Sequence, residues 1–312
     1  MLRGAWNTFA IRLEGEDRER DCVLKGKVLK GAEGRYNALA PGDWVDCEPD
    51  PLRPDRGLIV SVEARANAFC RYNQKGAGAP QALAANIGLV LCMTTAASPP
   101  FRPRFLDRLL MQAAFEGVPA VIILNKIDGD SPDAEAASRL ADYRRIGYEV
   151  LPLSLKTGAG LEALRQRLAG LSALLVGQSG VGKSTLINAL VPGAAAAVGA
   201  LNRKWDRGTH TTTQGALFEA PGGTRLIDTP GLRRFAPCGM TAADALLAMP
   251  ELAPLAGRCA FGLSCAHETE PGCAVQAALA RGDIHPGRCE SFLRILKELQ
   301  ALPPCHFTAD RV

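Results

Sequence analysis

Gly177-Gln178-Ser179-Gly180-Val181-Gly182-Lys183-Ser184 follows the apolar run Leu174-Leu175-Val176 and opens the stretch from Lys183 to Leu190, whose spacing reads as a helix. Strand, glycine-rich loop and helix in that order form a G-x-x-x-x-G-K-S phosphate-binding loop. Glycines let backbone N–H groups turn inward, where they cradle anionic oxygens at a helix N-terminus. The expectation is that Gly177, Gln178, Ser179, Gly180, Val181, Gly182, Lys183, Ser184 and Thr185 surround a nucleotide phosphate chain. Lys183 would reach the β and γ phosphates, and the Ser184 hydroxyl would bind Mg²⁺. Read alone, the loop is a glycine-rich turn; its place between strand and helix argues for function.

Outward from this loop the sequence alternates between strand and helix. Leu89 to Cys92, Val118 to Leu124, Tyr148 to Leu153, Leu174 to Val176, Ala216 to Phe218 and Arg225 to Ile227 read as strands. Phe105 to Ala113, Ala134 to Ile146, Leu161 to Leu168 and Lys183 to Leu190 read as helices. Such alternation implies a mostly parallel sheet with helices on both faces. Asn125-Lys126-Ile127-Asp128 ends the apolar run Val118 to Leu124. It therefore sits at the carboxyl edge of the sheet, where ligands bind. The Asp128 carboxylate can accept from N1–H and the exocyclic amine of guanine. Adenine lacks that donor pair and would leave the carboxylate unpaired. Ser154-Leu155-Lys156, one strand later, has the spacing of a second base-contacting loop. Asp228-Thr229-Pro230-Gly231 supplies a D-x-x-G, in which Asp228 would hold Mg²⁺ and Gly231 would sense the γ-phosphate. His210-Thr211-Thr212-Thr213 offers Thr213 as a further Mg²⁺ ligand. Each short motif alone is ordinary turn chemistry; jointly they specify a GTP/GDP site.

The order of the motifs is rotated. Asn125–Asp128 and Ser154–Lys156 precede the phosphate loop, and Asp228–Gly231 follows it. The same sheet results if the old termini are joined and new ones opened before Leu89, which close-lying termini permit. The D-x-x-G then leads directly into the C-terminal part of the chain.

Residues 1 to 70 read as a small all-β barrel, with Cys22-Val23-Leu24, Lys27-Val28-Leu29, Trp44 to Cys47 and Leu58 to Val62 as strands. Residues 71 to 85, rich in Gly and Ala, read as a linker, 86 to 235 as the nucleotide-binding domain, and 236 to 312 as a mostly helical domain. In that last part, Cys259-x₅-Cys265-x-His267-x₅-Cys273 offers three thiolates and one imidazole, the donor set of a closed, structural zinc site. Cys289 is a spare candidate. Cys22, Cys47, Cys70, Cys92, Cys238 and Cys305 lie far apart and read as isolated buried thiols. Net charge is +4, which neither demands nor excludes a nucleic-acid partner. With no apolar leader or long apolar run, a cytoplasmic protein that does not enter membranes is expected, monomeric by default.

With the rotated order and the Cys-Cys-His-Cys cluster in view, the chain resembles the circularly permuted, small-ribosomal-subunit-dependent GTPases of bacteria (small ribosomal subunit biogenesis GTPase A). The resemblance includes Gly42-Asp43, Ala85-Asn86, Phe105-Leu106-Asp107-Arg108, Asn125–Asp128, Gly177–Thr185, His210–Thr213, Asp228–Gly231 and Glu270-Pro271-Gly272-Cys273-Ala274-Val275. It implies an oligonucleotide-binding-type barrel, a permuted G domain and a zinc domain. It also implies a GTPase that docks on the 30S subunit and its 16S rRNA late in maturation and is stimulated by the particle. Departures are the five-residue spacer after Cys259, Gly88 where Asp is usual, Leu155 where Ala is usual, and Arg207-Gly208-Thr209 before the histidine. Leu232 stands where many GTPases carry a water-orienting Gln. His210 is the catalytic candidate in its place, its ordinary pKa of about 6.5 suiting it to orient water. Arg203, Lys204 and Arg207 could touch RNA phosphates. Two other readings are a GTP-binding module with little hydrolysis, which Leu232 favours, and an ATP-using enzyme, which Asp128 disfavours.

Overall fold

The computed structural model describes residues 1–301 apart from positions 6, 17, 34, 74–79, 195–214, 230, 231 and 233. His210, Thr213, Gly231 and the basic residues Arg203, Lys204 and Arg207 lie outside the described residues, as does Cys305.

The nucleotide-domain strands are β8 (Leu89–Thr95), β9 (Ala120–Asn125), β10 (Glu149–Leu153), β11 (Ser172–Gly177), β12 (Ala216–Ala220) and β13 (Thr224–Asp228). Their order across the sheet is β10-β9-β8-β11-β13-β12, with only β12 antiparallel to its neighbour. Helices α1 (Pro103–Phe115), α2 (Ala134–Arg145), α3 (Leu161–Leu168) and α4 (Lys183–Leu190) make the crossovers. β8 is buried along its whole length, and β11 from Ala173 onward, because both faces are covered. Leu106, Leu110, Val90, Ile122 and Val176 pack on one face; Leu89, Ile123, Leu164, Leu175 and Leu186 pack on the other.

The N-terminal part contributes β1 (Arg3–Ala5), β2 (Thr8–Arg12), β3 (Glu19–Leu24), β4 (Val45–Pro49) and β5 (Arg56–Val62). They surround a separate core of Phe9, Ile11, Cys22, Leu29, Leu39 and Ile59. These strands continue the nucleotide-domain sheet, because β1 pairs with β12 at Arg3 and Ala216. Leu217 N–H donates to the Leu2 carbonyl at 2.8 Å, and Arg12 pairs with Glu219 at 2.7 Å. No ladder among the described residues joins β4 to β1.

Three expectations are corrected. Lys27-Val28-Leu29 is not a strand but a bend, with Val28 exposed, so its apolar side chains do not mark a ladder. The supposed linker 71–85 contains β7 (Gln81–Ala85), which pairs with β6 (Ala68–Arg71). Its alanines suggested flexibility, yet every residue of β7 is buried, small side chains allowing close packing under the main core. Finally, Cys47 is not a buried thiol but half-buried at the margin of the core that holds Cys22, whose thiol donates to the Arg20 carbonyl at 3.7 Å. Gly57 lacks a side chain and so makes room for the Cys22 sulfur.

The C-terminal part is helical: α5 (Ala242–Leu247), α6 (Ala274–Arg281) and α7 (Pro286–Ala301). Its core joins Leu252, Val275, Phe292 and Ile295 with Met111 of α1. A buried ionic network also crosses this boundary. Arg288 Nη1 and Arg139 Nη2 donate to Asp107 at 2.8 and 2.6 Å, and Arg288 Nε donates to Glu251 at 2.6 Å. Tyr143 donates its hydroxyl to the same Asp107 at 2.6 Å.

Candidate functional site

β8, β9, β10, β11 and β13 run parallel, so their carboxyl ends share one edge. The phosphate loop leaves the end of β11, Asn125 closes β9, Ser154 follows β10, and Asp228 closes β13. The rotated sequence order has no effect on this geometry, since the strands occupy the edge by position in the sheet.

The loop is held by specific contacts. Gly182 precedes α4 at φ +105°, and a Cβ there would lie 2.5 Å from Asn125 Nδ2. That Nδ2 donates to the Val181 carbonyl at 2.8 Å, joining the base motif to the phosphate loop. Asn125 Oδ1 is buried without a partner. Lys183 Nζ donates back to the carbonyls of Gly177 and Gln178 at 2.9 and 3.2 Å. Burial lowers its pKa, opposed by the charge of Asp228. α4 starts with no side-chain cap, leaving its first N–H groups to an anion. Ser184 and Thr185 are exposed at its first turn.

Asp128 and Ser154 belong together: the Ser154 hydroxyl donates to Asp128 Oδ1 and itself accepts from Thr157 N–H at 3.1 Å. That hydroxyl, with Lys156 at 4.0 Å, holds the carboxyl below the usual range, so it is ionised as guanine recognition requires. Leu155, next to Ser154, is half-buried.

Asp228 Oδ1 is buried with no hydrogen-bond partner, and burial pushes the carboxyl up to about 6 despite Lys183. An orphaned carboxylate oxygen beside the phosphate loop fits a divalent cation or its water. Thr229 is fixed by its hydroxyl donating to the Leu175 carbonyl at 3.1 Å. Leu232 is 3% exposed and packs in the core with Phe235 and Ile227, away from any water.

A contact the motifs did not foretell is the turn after β8. Three successive carbonyls there are each captured: Ser98 by Lys126 at 2.9 Å, Pro99 by Thr95 at 2.6 Å, and Pro100 by Gln178 at 2.9 Å. The Pro-Pro pair just past a strand was the available signal.

In the C-terminal part, Cys259, Cys265, His267 and Cys273 present ligand atoms all within 4.8 Å of one another, and all four residues are buried. Cys259 Sγ and Cys273 Sγ are 3.9 Å apart, and each lies 3.5 Å from His267 Nδ1. A tetrahedral zinc site has S···S and S···N edges of about 3.8 and 3.5 Å, so the set could hold such an ion. Ala274 N–H and Gln276 N–H point at the sulfurs of Cys259 and Cys273 at 3.3 and 3.5 Å. The five-residue spacer is taken up by a 3₁₀ turn, Gly262–Ser264. His267 sits at φ +62°, and Glu270 pins that turn by accepting from the N–H groups of Ala266, Glu268 and Thr269 at 2.7, 2.9 and 3.1 Å. Cys289 is buried in the same core but is not one of the four.

Comparison with known proteins agrees with this geometry. The RsgA GTPase family profile matches residues 62–237. The chain is 37% identical over 297 residues to a small ribosomal subunit biogenesis GTPase RsgA of Gemmatimonas aurantiaca, covering 95% of this chain and 94% of that one. The chain belongs to the RsgA GTPase family. The family is one of GTP-hydrolysing enzymes. An Azotobacter vinelandii relative of the same name is 37% identical over 292 residues, covering 93% of this chain and 82% of its own. Among solved structures, YjeQ from Thermotoga maritima superposes with a TM-score of 0.71 at 26% identity, covering 96% of each chain. YloQ, described as a circularly permuted GTPase, shares the fold with a TM-score of 0.66 at 21% identity, over 98% of this chain and 95% of that one. No helix among the described residues is long and apolar enough to cross a membrane.

Proposed function

We propose that this RsgA-family GTPase binds the small (30S) ribosomal subunit through its 16S rRNA during late maturation, and hydrolyses GTP to GDP and phosphate with particle-stimulated turnover. The carrying observation is the meeting of Asn125, Asp128 with Ser154, Lys183 and Asp228 on one sheet edge, within a chain whose curated relatives are named small ribosomal subunit biogenesis GTPases.

In this reading Asp128 and the backbone near Leu155 bind guanine. Residues Gly177 to Thr185 bind the phosphates, with Lys183 released from its own loop carbonyls to meet them. Ser184, Asp228 and Thr213 hold Mg²⁺, whose charge offsets that building on the phosphate oxygens. Gly231 reports the γ-phosphate to the segment that enters the C-terminal part. Buried Leu232 cannot orient water, so His210 takes that role. Cys259, Cys265, His267 and Cys273 hold one structural zinc ion, which staples a small helical domain. The chain acts as a cytoplasmic monomer, with an oligonucleotide-binding-type barrel in 1–70 and a zinc domain in 236–312 flanking the nucleotide-binding centre.

Leu232 also favours a second reading, a GTP-binding module with little hydrolysis. Two binding measurements test the first reading's foundations. GTP should outcompete ATP, and Asp128→Asn should shift preference from guanine toward xanthine nucleotides. The GTP-loaded chain should co-sediment with 30S particles and the GDP form much less. Equal competition by ATP, or equal retention on 50S, would contradict it.

A further inference from the structure

Ser98, Pro99 and Pro100 present a row of carbonyls, and the two prolines carry no N–H to pair with. Each carbonyl is taken by a side chain from a different part of the nucleotide edge. Lys126 belongs to the base motif, Thr95 to the end of β8, and Gln178 to the second position of the phosphate loop. Gln178 is buried, and Thr95 fully so. Gly180 faces the Pro99 ring, to which a Cβ there would come within 3.8 Å. The phosphate loop is thus tied at two shoulders: Gln178 to Pro100 on one side, Val181 to Asn125 on the other.

The direction of Gln178 matters. Its amide donates to Pro100 O at 2.9 Å, while its own backbone carbonyl accepts from Lys183 at 3.2 Å. A glycine-rich loop has wide backbone freedom. A side-chain tether removes part of that freedom before ligand arrives, and such preorganisation appears as tighter binding.

We propose that Ser98–Pro100 braces the guanine nucleotide site and that Gln178 is a positioning residue slowing nucleotide release through its bond to Pro100. This rests on the guanine-nucleotide reading given above. The Gln178 side chain acts through Pro100, so its loss is read in nucleotide release and KM.

The test is stopped-flow release of N-methylanthraniloyl-GDP from the full chain, with steady-state GTP turnover alongside. Gln178→Ala and the near-isosteric Gln178→Met, which fills the same space without a donor, should both speed release about five-fold, the size of one net buried hydrogen bond. KM for GTP should rise in step with the release rate. Thr95→Val removes the neighbouring tie, and combined with Gln178→Met should speed release by less than the product of the single effects, because both act on one segment. Release unchanged in Gln178→Met and Thr95→Val, in protein that binds the probe and loses it on Asp128→Asn, would overturn the brace while sparing the functional reading. A kcat that falls with KM unchanged would also overturn it. Failure of the native protein to bind the probe would overturn both.

Discussion

Replacing Arg288 by Met should destabilise the protein by about 3–5 kcal/mol. The side chain is 1% exposed and lies between Asp107 and Glu251, donating at 2.8 Å to the first and at 2.6 and 3.1 Å to the second. In this cluster two buried cations, Arg139 and Arg288, balance two buried anions, Asp107 and Glu251. Met fills much of the volume but leaves one anion in excess where water does not reach. Burying an unpaired charge, not losing an attraction, sets the cost. Arg288→Met with Glu251→Gln restores neutrality and should recover at least about 1 kcal/mol over the single variant. The assay is urea unfolding followed by far-UV circular dichroism. Hydrogen exchange of α1 and α7 amides would locate the weakening at the boundary between the nucleotide sheet and the C-terminal helices. A loss below about 1 kcal/mol, or a double variant as weak as the sum of the single ones, would refute the charge argument.

Other outcomes follow from the same geometry. Gly182→Ala places a Cβ 2.5 Å from Asn125 Nδ2 at a φ of +105°, and should raise the nucleotide Kd at least about ten-fold in titration calorimetry, a strain cost within 1–3 kcal/mol. Cys265→Ser, or chelation of the native protein, should release about one zinc per chain by elemental analysis. It should also expose α6 and α7 to exchange, with guanine-nucleotide binding retained.

The nucleotide edge was legible because its signals are local. The helices at Lys183–Leu190 and Leu161–Leu168 follow directly from glycine placement and apolar spacing. The clustering of Cys259, Cys265, His267 and Cys273 was legible for the same reason, these residues lying close together in sequence. What was not legible depends on partners far apart. Asp107 and Arg288 are separated by 181 positions, and Gln178 and Pro100 by 78. No spacing rule reaches across such gaps, and a buried arginine looks in sequence like a solvated one. The segment 81–85 misled for another reason: Gln-Ala-Leu-Ala-Ala has a linker's small residues, but the structure uses smallness for close packing. The resemblance segment Phe105–Arg108 acquires a physical meaning. Leu106 enters the sheet core, Asp107 anchors the buried network, and Arg108 reaches Glu298 on α7.

The measurement bearing most directly on the proposed function is GTP turnover with purified 30S, 50S or 70S particles, for native protein and His210→Ala. The account predicts slow release of phosphate by the protein alone and strong stimulation by 30S only. It predicts that His210→Ala binds GTP normally yet loses the stimulated rate. Equal stimulation by 50S, or a stimulated kcat untouched by His210→Ala, would contradict it.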